Sequence, residues 1–249
     1  MITVQMRFYE GLNDFLPLDQ QKISFAHTVA SKAAIKDVIE SLGVPHPEVQ
    51  LILVNRKSVA FNYQVQNGDS ISVYPVFKAL NVNEISLVQP KPLEKTTFIL
   101  DVHLGKLARY LRLLGFDMIY DNHFADATIA ECSENEKRIV LTRDIGLLKN
   151  KKITYGYWIR NTDPEKQINE VLSRFNLYEQ CKPFTRCIEC NGMLISIEKN
   201  SISENLSPMT RKYYQNFVRC NLCKKIYWEG THYQKLKNLV KRILINNKF

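Results

Sequence analysis

Residues 97–117 read TFILDVHLGKLARYLRLLGFD. A short apolar run ends in a carboxylate at Asp101, and Leu104, Leu107, Ala108, Leu111 and Leu114 then recur at helical spacing until Gly115 stops the helix. A strand feeding a helix is one βα unit. Downstream, residues 118–120 read as a second strand, 126–136 as a helix, 138–142 as a third strand, Arg143-Asp144 as the opening of another short helix, and 153–159 as a last strand. Strands alternating with helices predict an α/β fold, a parallel sheet with helices on both faces.

Upstream, residues 1–79 read strand, strand, helix, strand, strand. Ile2, Val4, Met6 and Phe8 alternate with polar neighbours, whereas Ala33, Val38, Ile39 and Leu42 mark a helix closed by Gly43 and Pro45. Residues 51–54 and 71–76 supply later strands, with Asn67-Gly68-Asp69 as the turn before the last. This order resembles the β-grasp, ubiquitin-like fold, and most closely the small sulfur-carrier proteins. Those carriers end in a free Gly-Gly, but here the last strand runs on through Tyr74-Pro75-Val76-Phe77-Lys78-Ala79 into more chain. A binding or scaffolding module is expected, not a carrier. Residues 80–96, with Pro90 and Pro92 beside Lys91 and Lys95, read as a linker.

A chain of 249 residues that is 45% hydrophobic and 24% charged is expected to fold, and as two or three modest domains. It has no apolar run long enough to span a bilayer, and its amino terminus lacks a cationic-then-apolar signal pattern, so a cytoplasmic protein without a membrane partner is expected. Its 34 Lys and Arg outnumber 25 Asp and Glu, and a net charge of +9 favours a polyanionic partner, nucleic acid ahead of an acidic membrane surface.

Of six cysteines, four form two Cys-x-x-Cys pairs, Cys187/Cys190 and Cys220/Cys223. A two-residue gap lets both thiolates of a tight knuckle reach one ion, so the pairs predict a structural zinc site with no open coordination position. The 29 residues between Cys190 and Cys220 must carry structure of their own. Cys132 and Cys181 stand alone and read as inert, partly buried thiols. His232 is not needed as a ligand.

Asp101 and Asp144 follow two predicted strands, at the end of a parallel sheet where ligands gather, and Asp126 opens a helix beside them. Carboxylates brought together repel unless a hard cation lies between them, and Mg2+ or Mn2+ so held suits phosphodiester hydrolysis. Each of the three also fits a helix N-cap. Asp163, before Pro164, reads as a cap, and Glu131 can face solvent or a metal.

Phe98 to Asp117, Ile139-Val-Leu-Thr-Arg-Asp144, Tyr157-Trp-Ile-Arg160 and Tyr227-Trp-Glu-Gly-Thr-His-Tyr233 together resemble the Mut-7 C-terminal (Mut7-C) RNase family. That family joins a PIN-like nuclease domain to a zinc ribbon, and some bacterial members carry a ubiquitin-like domain in front. The resemblance implies that Asp101, Asp126 and Asp144 form an acidic catalytic metal site. Where the family opens the second helix with an acidic run, this chain has Ala125-Asp126-Ala127, leaving fewer carboxylates for a second metal.

Lys106, Arg109 and Arg112 recur every third residue along one helix and can face one way, toward phosphates; Arg143 adjoins Asp144. Equally, such a row can be a solvated helix face. Six Lys and Arg between residues 224 and 242 surround Tyr227, Trp228, His232 and Tyr233, aromatics that can stack on unpaired bases or simply pack the ribbon. The expected organisation is a β-grasp module (1–79), a linker (80–96), a PIN-like domain (97–180) and a zinc ribbon with basic tail (181–249). The expected activity is Mg/Mn-dependent hydrolysis of single-stranded or tRNA-like RNA. The alternative is a noncatalytic zinc-ribbon RNA-binding adaptor whose β-grasp domain recruits a protein.

Overall fold

The structure, a computed structural model, describes residues 1–77, 82 and 84–245. Lys78, Ala79 and the expected boundary at residues 79–80 lie outside the described residues. The N-terminal elements are β1 (Ile2–Phe8), β2 (Phe25–Val29), α1 (Ile35–Ser41), β3 (Leu51–Val54), β4 (Lys57–Ser58) and β5 (Ser70–Tyr74). The middle supplies β6 (Thr97–Leu100), α2 (Gly105–Leu113), β7 (Asp117–Ile119), α3 (Asp126–Glu136), β8 (Ile139–Thr142), α4 (Ile145–Leu148), β9 (Gly156–Trp158) and α5 (Pro164–Phe175). Then come β10 (Leu194–Ile197), α6 (Pro208–Tyr213), β11 (Phe217–Cys220), β12 (Ile226–Trp228) and α7 (Thr231–Ile245). By contacts the chain forms two compact units, residues 1–95 with 125–158, and residues 96–124 with 159–249.

In the first unit a mixed sheet runs β2-β1-β5-β3-β4. β1 is parallel to β5, Met6 opposite Ile71, and the other neighbours are antiparallel. The alternation that marks β1 buries Val4, Met6 and Phe8 against Ile35, Val38 and Ile39 of α1. The Asn67-Gly68-Asp69 turn has a physical cause: Gly68 takes φ +84°, and Asp69, 4% exposed, accepts from Gln66 N–H (2.8 Å), Asn55 Nδ2 (2.9 Å) and the Tyr63 hydroxyl (3.0 Å). This is the ubiquitin-like sheet the sequence predicts.

The same unit contains β8 and β9, parallel with Val140 opposite Gly156, and the helices α3 and α4. A 3-10 turn, His46–Glu48, joins them to the ubiquitin-like sheet. His46 Nε2 lies 2.8 Å from the Ile153 carbonyl, which only accepts, so this nitrogen donates; Nδ1 meets Glu40 Oε1 at 2.7 Å. Glu48, 2% exposed, accepts the Trp158 backbone N–H at 2.7 Å, and Lys149 Nζ donates to the Glu40 carbonyl at 2.7 Å. Phe15 packs on the Trp158 ring, centroids 4.9 Å apart.

In the second unit β6 and β7 are parallel, Phe98 opposite Met118. Helix α2 buries Leu107, Ala108 and Leu111, the stripe its spacing predicts. Helix α5 is capped by Asp163, whose Oδ1 accepts from Glu165 and Lys166 N–H (both 3.0 Å) with Pro164 in the first turn, as expected. The C-terminal sheet is antiparallel in the order β10-β11-β12. Between the cysteine pairs, Ile202, Leu206 and Phe217 make a small core with Ile197, Tyr214 and Ile226 packed against it, so the long inter-pair loop is structured. No helix among the described residues is long and apolar enough to cross a membrane.

Candidate functional site

The four cysteines Cys187, Cys190, Cys220 and Cys223 place their sulfurs within 4.8 Å of one another. Thiolates about 2.3 Å from a tetrahedral zinc stand roughly 3.8 Å apart. Cys187 and Cys223 Sγ are 3.7 Å apart, and Cys190 and Cys220 Sγ 3.3 Å, so the cluster can hold one zinc ion. The backbone builds each knuckle. Asn191 N–H donates to the Cys187 carbonyl (3.0 Å), Cys187 N–H to the Gly192 carbonyl (2.7 Å), and Leu222 N–H to Cys220 Sγ (3.4 Å). A Cβ on Gly192 would stand 2.6 Å from Cys220 Sγ, so only glycine lets the knuckles close on each other. The Tyr227 hydroxyl sits 3.0 Å from Cys187 Sγ, and burial, then Cys187, raise its pKa and keep its proton available for that sulfur. Nothing in the spacing of the cysteines announces Tyr227.

The first knuckle is fastened to α2 and β7. Arg112 is 7% exposed, and its Nη1 donates to the carbonyls of Glu189 (2.6 Å) and Ile188 (3.4 Å). It therefore leaves the phosphate-facing row expected of Lys106, Arg109 and Arg112; the three-residue spacing is real, but the ribbon covers one end of that face. Lys106 and Arg109 remain exposed, Arg109 at 3.3 Å from Glu189. Arg186 extends the joint, reaching Asp117 Oδ2 (3.1 Å), the Gly115 carbonyl (3.2 Å) and the Asn191 carbonyl (2.9 Å). Nothing in the sequence announces Arg186, an isolated polar side chain that belongs to no motif.

The aspartates divide between the units. Asp101, in the second, is 5% exposed at the carboxyl end of β6, and its side chain makes no cap hydrogen bond to the turn it precedes. Near it, Tyr120 donates to the Val102 carbonyl at 2.8 Å, and its own pKa is raised by burial and then by the charges of Asp101 and Asp121. Asp126 and Asp144, in the first unit, are exposed. Asp144 caps α4, Oδ1 accepting from Gly146 N–H at 2.7 Å, whereas the cap position of α3 is Ala125, not Asp126. Capping thus accounts for Asp144 and Asp163 but not for Asp101 or Asp126. Glu131 turns to Lys152, 3.4 Å away. Arg143 is exposed, and its carbonyl accepts from the Trp158 indole at 3.2 Å. Cys181 and Cys132 are partly buried, and burial pushes the Cys181 thiol up to about 11 and raises that of Cys132.

A family model described as the Mut7-C RNAse domain matches residues 96–240, and one described as Mut7-C ubiquitin matches residues 1–81. No curated protein and no solved structure matches the chain. With a ubiquitin-like sheet in front, parallel strands flanked by helices in the middle and a four-cysteine sheet behind, the chain belongs to the Mut7-C RNAse domain family and carries the Mut7-C ubiquitin domain ahead of it.

Proposed function

We propose that this chain is a metal-dependent ribonuclease with Asp101 as a ligand of its cation, and that its four cysteines hold a structural zinc. Membership of an RNAse domain family implies an RNA substrate. The observation that carries the acidic site is the place of Asp101: a carboxylate only 5% exposed, directly after the carboxyl end of the parallel strand β6, where α/β sheets gather their ligands. A hard divalent ion such as Mg2+ or Mn2+ suits a carboxylate set, and bound there it supplies charge stabilisation and an activated water. Lys106, Arg109 and Arg143, all exposed, would bind phosphates of a single-stranded or tRNA-like substrate. The contacts of Glu40, His46 and Glu48 with the chain's own residues 149–158 support a bracing role for the N-terminal module over recruitment of a partner.

The test is incubation of the purified chain with cellular RNA and Mn2+, followed by mapping of cut ends. Cleavage is expected, lost in Asp101→Asn and in a chelator too weak to strip thiolate-bound zinc, with circular dichroism and zinc content unchanged. Full cleavage by Asp101→Asn protein would remove the acidic site. Binding without cleavage in every divalent ion tried would leave the adaptor reading, which the capping role of Asp144 favours.

A further inference from the structure

The net charge of the chain is not spread along it. Residues 208–249 hold ten of the 34 Lys and Arg and one of the 25 Asp and Glu, namely Glu229, so the remaining 24 cations and 24 carboxylates balance. The whole excess of +9 lies in the segment that forms α6, β11, β12 and α7. This is also where large rings are left in solvent: Tyr213 is 62% exposed and Trp228 38%.

Those rings line a cleft of about 980 Å³ whose walls come from α6, β12 and the first turns of α7, with Arg109 of α2 at one side. That is near the top of the roughly 300–1,000 Å³ range of ligand clefts. Most of its surface is apolar side chain, with Lys225 and Lys235 among the charged groups lining it. Arg109, Arg186, Lys225 and Lys235 line it against two carboxylates, Glu189 and Glu229, and Glu189 is already shared by Arg109 (3.3 Å) and Lys225 (3.2 Å), so the balance of the lining is positive. The Trp228 indole is held in place from behind. Tyr214 and Phe217 flank it at 6.4 Å between centroids, and a Cβ on Gly230 would stand 2.9 Å from its Nε1. Packing of the ribbon accounts for Phe217, which is 2% exposed, but not for the outward faces of Tyr213 and Trp228.

We infer that this cleft binds unpaired bases of a single RNA strand, Tyr213 and Trp228 stacking on base faces while Lys225 and Lys235 meet the flanking phosphates. A polyanion that also presents flat apolar faces matches both the charge and the rings; a duplex hides its base faces, and an acidic peptide has no use for them. The inference rests on the proposed RNA substrate, yet it concerns residues outside the acidic set. The cleft would hold a strand whether or not the chain cuts it.

The experiment uses zinc-loaded, full-length Asp101→Asn protein, which keeps the strand intact, and a fluorescently labelled oligouridylate with an RNA duplex of the same length as the comparison. Anisotropy should show the single strand bound in preference to the duplex, with Tyr213→Ala weakening it by about 5- to 150-fold, the usual effect of losing one stacking ring. Lys235→Gln should reduce the slope of log affinity against log salt by about 0.7, as for one lost phosphate contact on a single strand. Tyr213 is exposed, so the substitution spares the fold. Equal affinity of Tyr213→Ala, Trp228→Phe and Lys235→Gln proteins for the strand would overturn the inference, as would preferential capture of an acidic peptide lost in the same variants. If the unsubstituted chain cleaves RNA while Tyr213→Ala binds normally, the cleft fails and the ribonuclease stands. If nothing is cleaved while Tyr213→Ala loses the strand, the cleft stands and the ribonuclease fails.

Discussion

At the scale of single residues, Arg112 shows how one side chain joins pieces of chain far apart in sequence. Burial lowers its pKa, the charges of Cys190, Cys187 and Glu189 oppose that, and the guanidinium satisfies two knuckle carbonyls. Charge-assisted hydrogen bonds of this kind contribute about 1.5–3 kcal/mol, and a buried carbonyl left unpaired adds its own desolvation cost. Arg112→Met should therefore destabilise the zinc-loaded protein by about 2 kcal/mol or more in urea denaturation; a midpoint equal to that of the parent would show the contact to be dispensable. Gly115 carries a similar double role. It stops α2, as its position predicts, but it also takes φ +93° with the Lys182 carbonyl 2.3 Å from where a Cβ would stand. The helix stop was legible; the close approach of the chain leading into the ribbon was not.

At the scale of elements, the zinc proposed for the four cysteines would stabilise the ribbon more than its small core does. Three residues, Ile202, Leu206 and Phe217, form the buried cluster beneath β10–β12, too little apolar surface to offset the ordering entropy of a segment this long. Zinc binding then becomes folding energy. Removing the metal with a chelator strong enough to compete with four thiolates should abolish hydrogen-exchange protection of the Asn191, Cys220 and Leu222 amides while β1 to β5 keep theirs. Those three amides staying protected in metal-free protein would mean the sheet stands unaided. The ubiquitin-like sheet has no such dependence, since its core joins the buried face of α1 to the sheet through more than a dozen buried apolar side chains.

At the scale of the whole molecule, the chain does not divide where its sequence families divide. The first unit combines the ubiquitin-like sheet with residues 125–158, and the second combines residues 96–124 with the ribbon. Within the first, Glu40 gives the joint a pH dependence. Burial alone would raise its pKa, but the hydrogen bond and charge of His46, with Lys36, hold it below the ordinary 4.5. A carboxylate with a depressed folded-state pKa stabilises above its unfolded value, and that contribution is lost as pH falls through the folded value. Stability of the first unit should thus fall off below about pH 4.5. Trp158 emission in Trp228→Phe protein, which has no other tryptophan, should follow the transition, and Glu40→Gln should flatten it. An unaltered pH profile in Glu40→Gln would show that the Glu40–His46 pair does not brace the joint.

The features readable from sequence were those decided by near neighbours along the chain. The period-two alternation of β1, the helical stripe of α2, the Asn67-Gly68-Asp69 turn, the Asp163-Pro164 cap and the two Cys-x-x-Cys knuckles each need only a few consecutive residues to fix backbone shape or ligand reach. What only tertiary structure decided was the use of individual polar side chains across long separations: Arg112 reaching a knuckle 76 and 77 positions away, His46 an Ile153 carbonyl 107 away, Glu48 the Trp158 amide 110 away. Periodicity reports which face of an element a residue occupies. It cannot report which segment will cover that face, because the desolvation that turns an exposed cation into a buried fastener belongs to the partner surface and not to the residue's own neighbours.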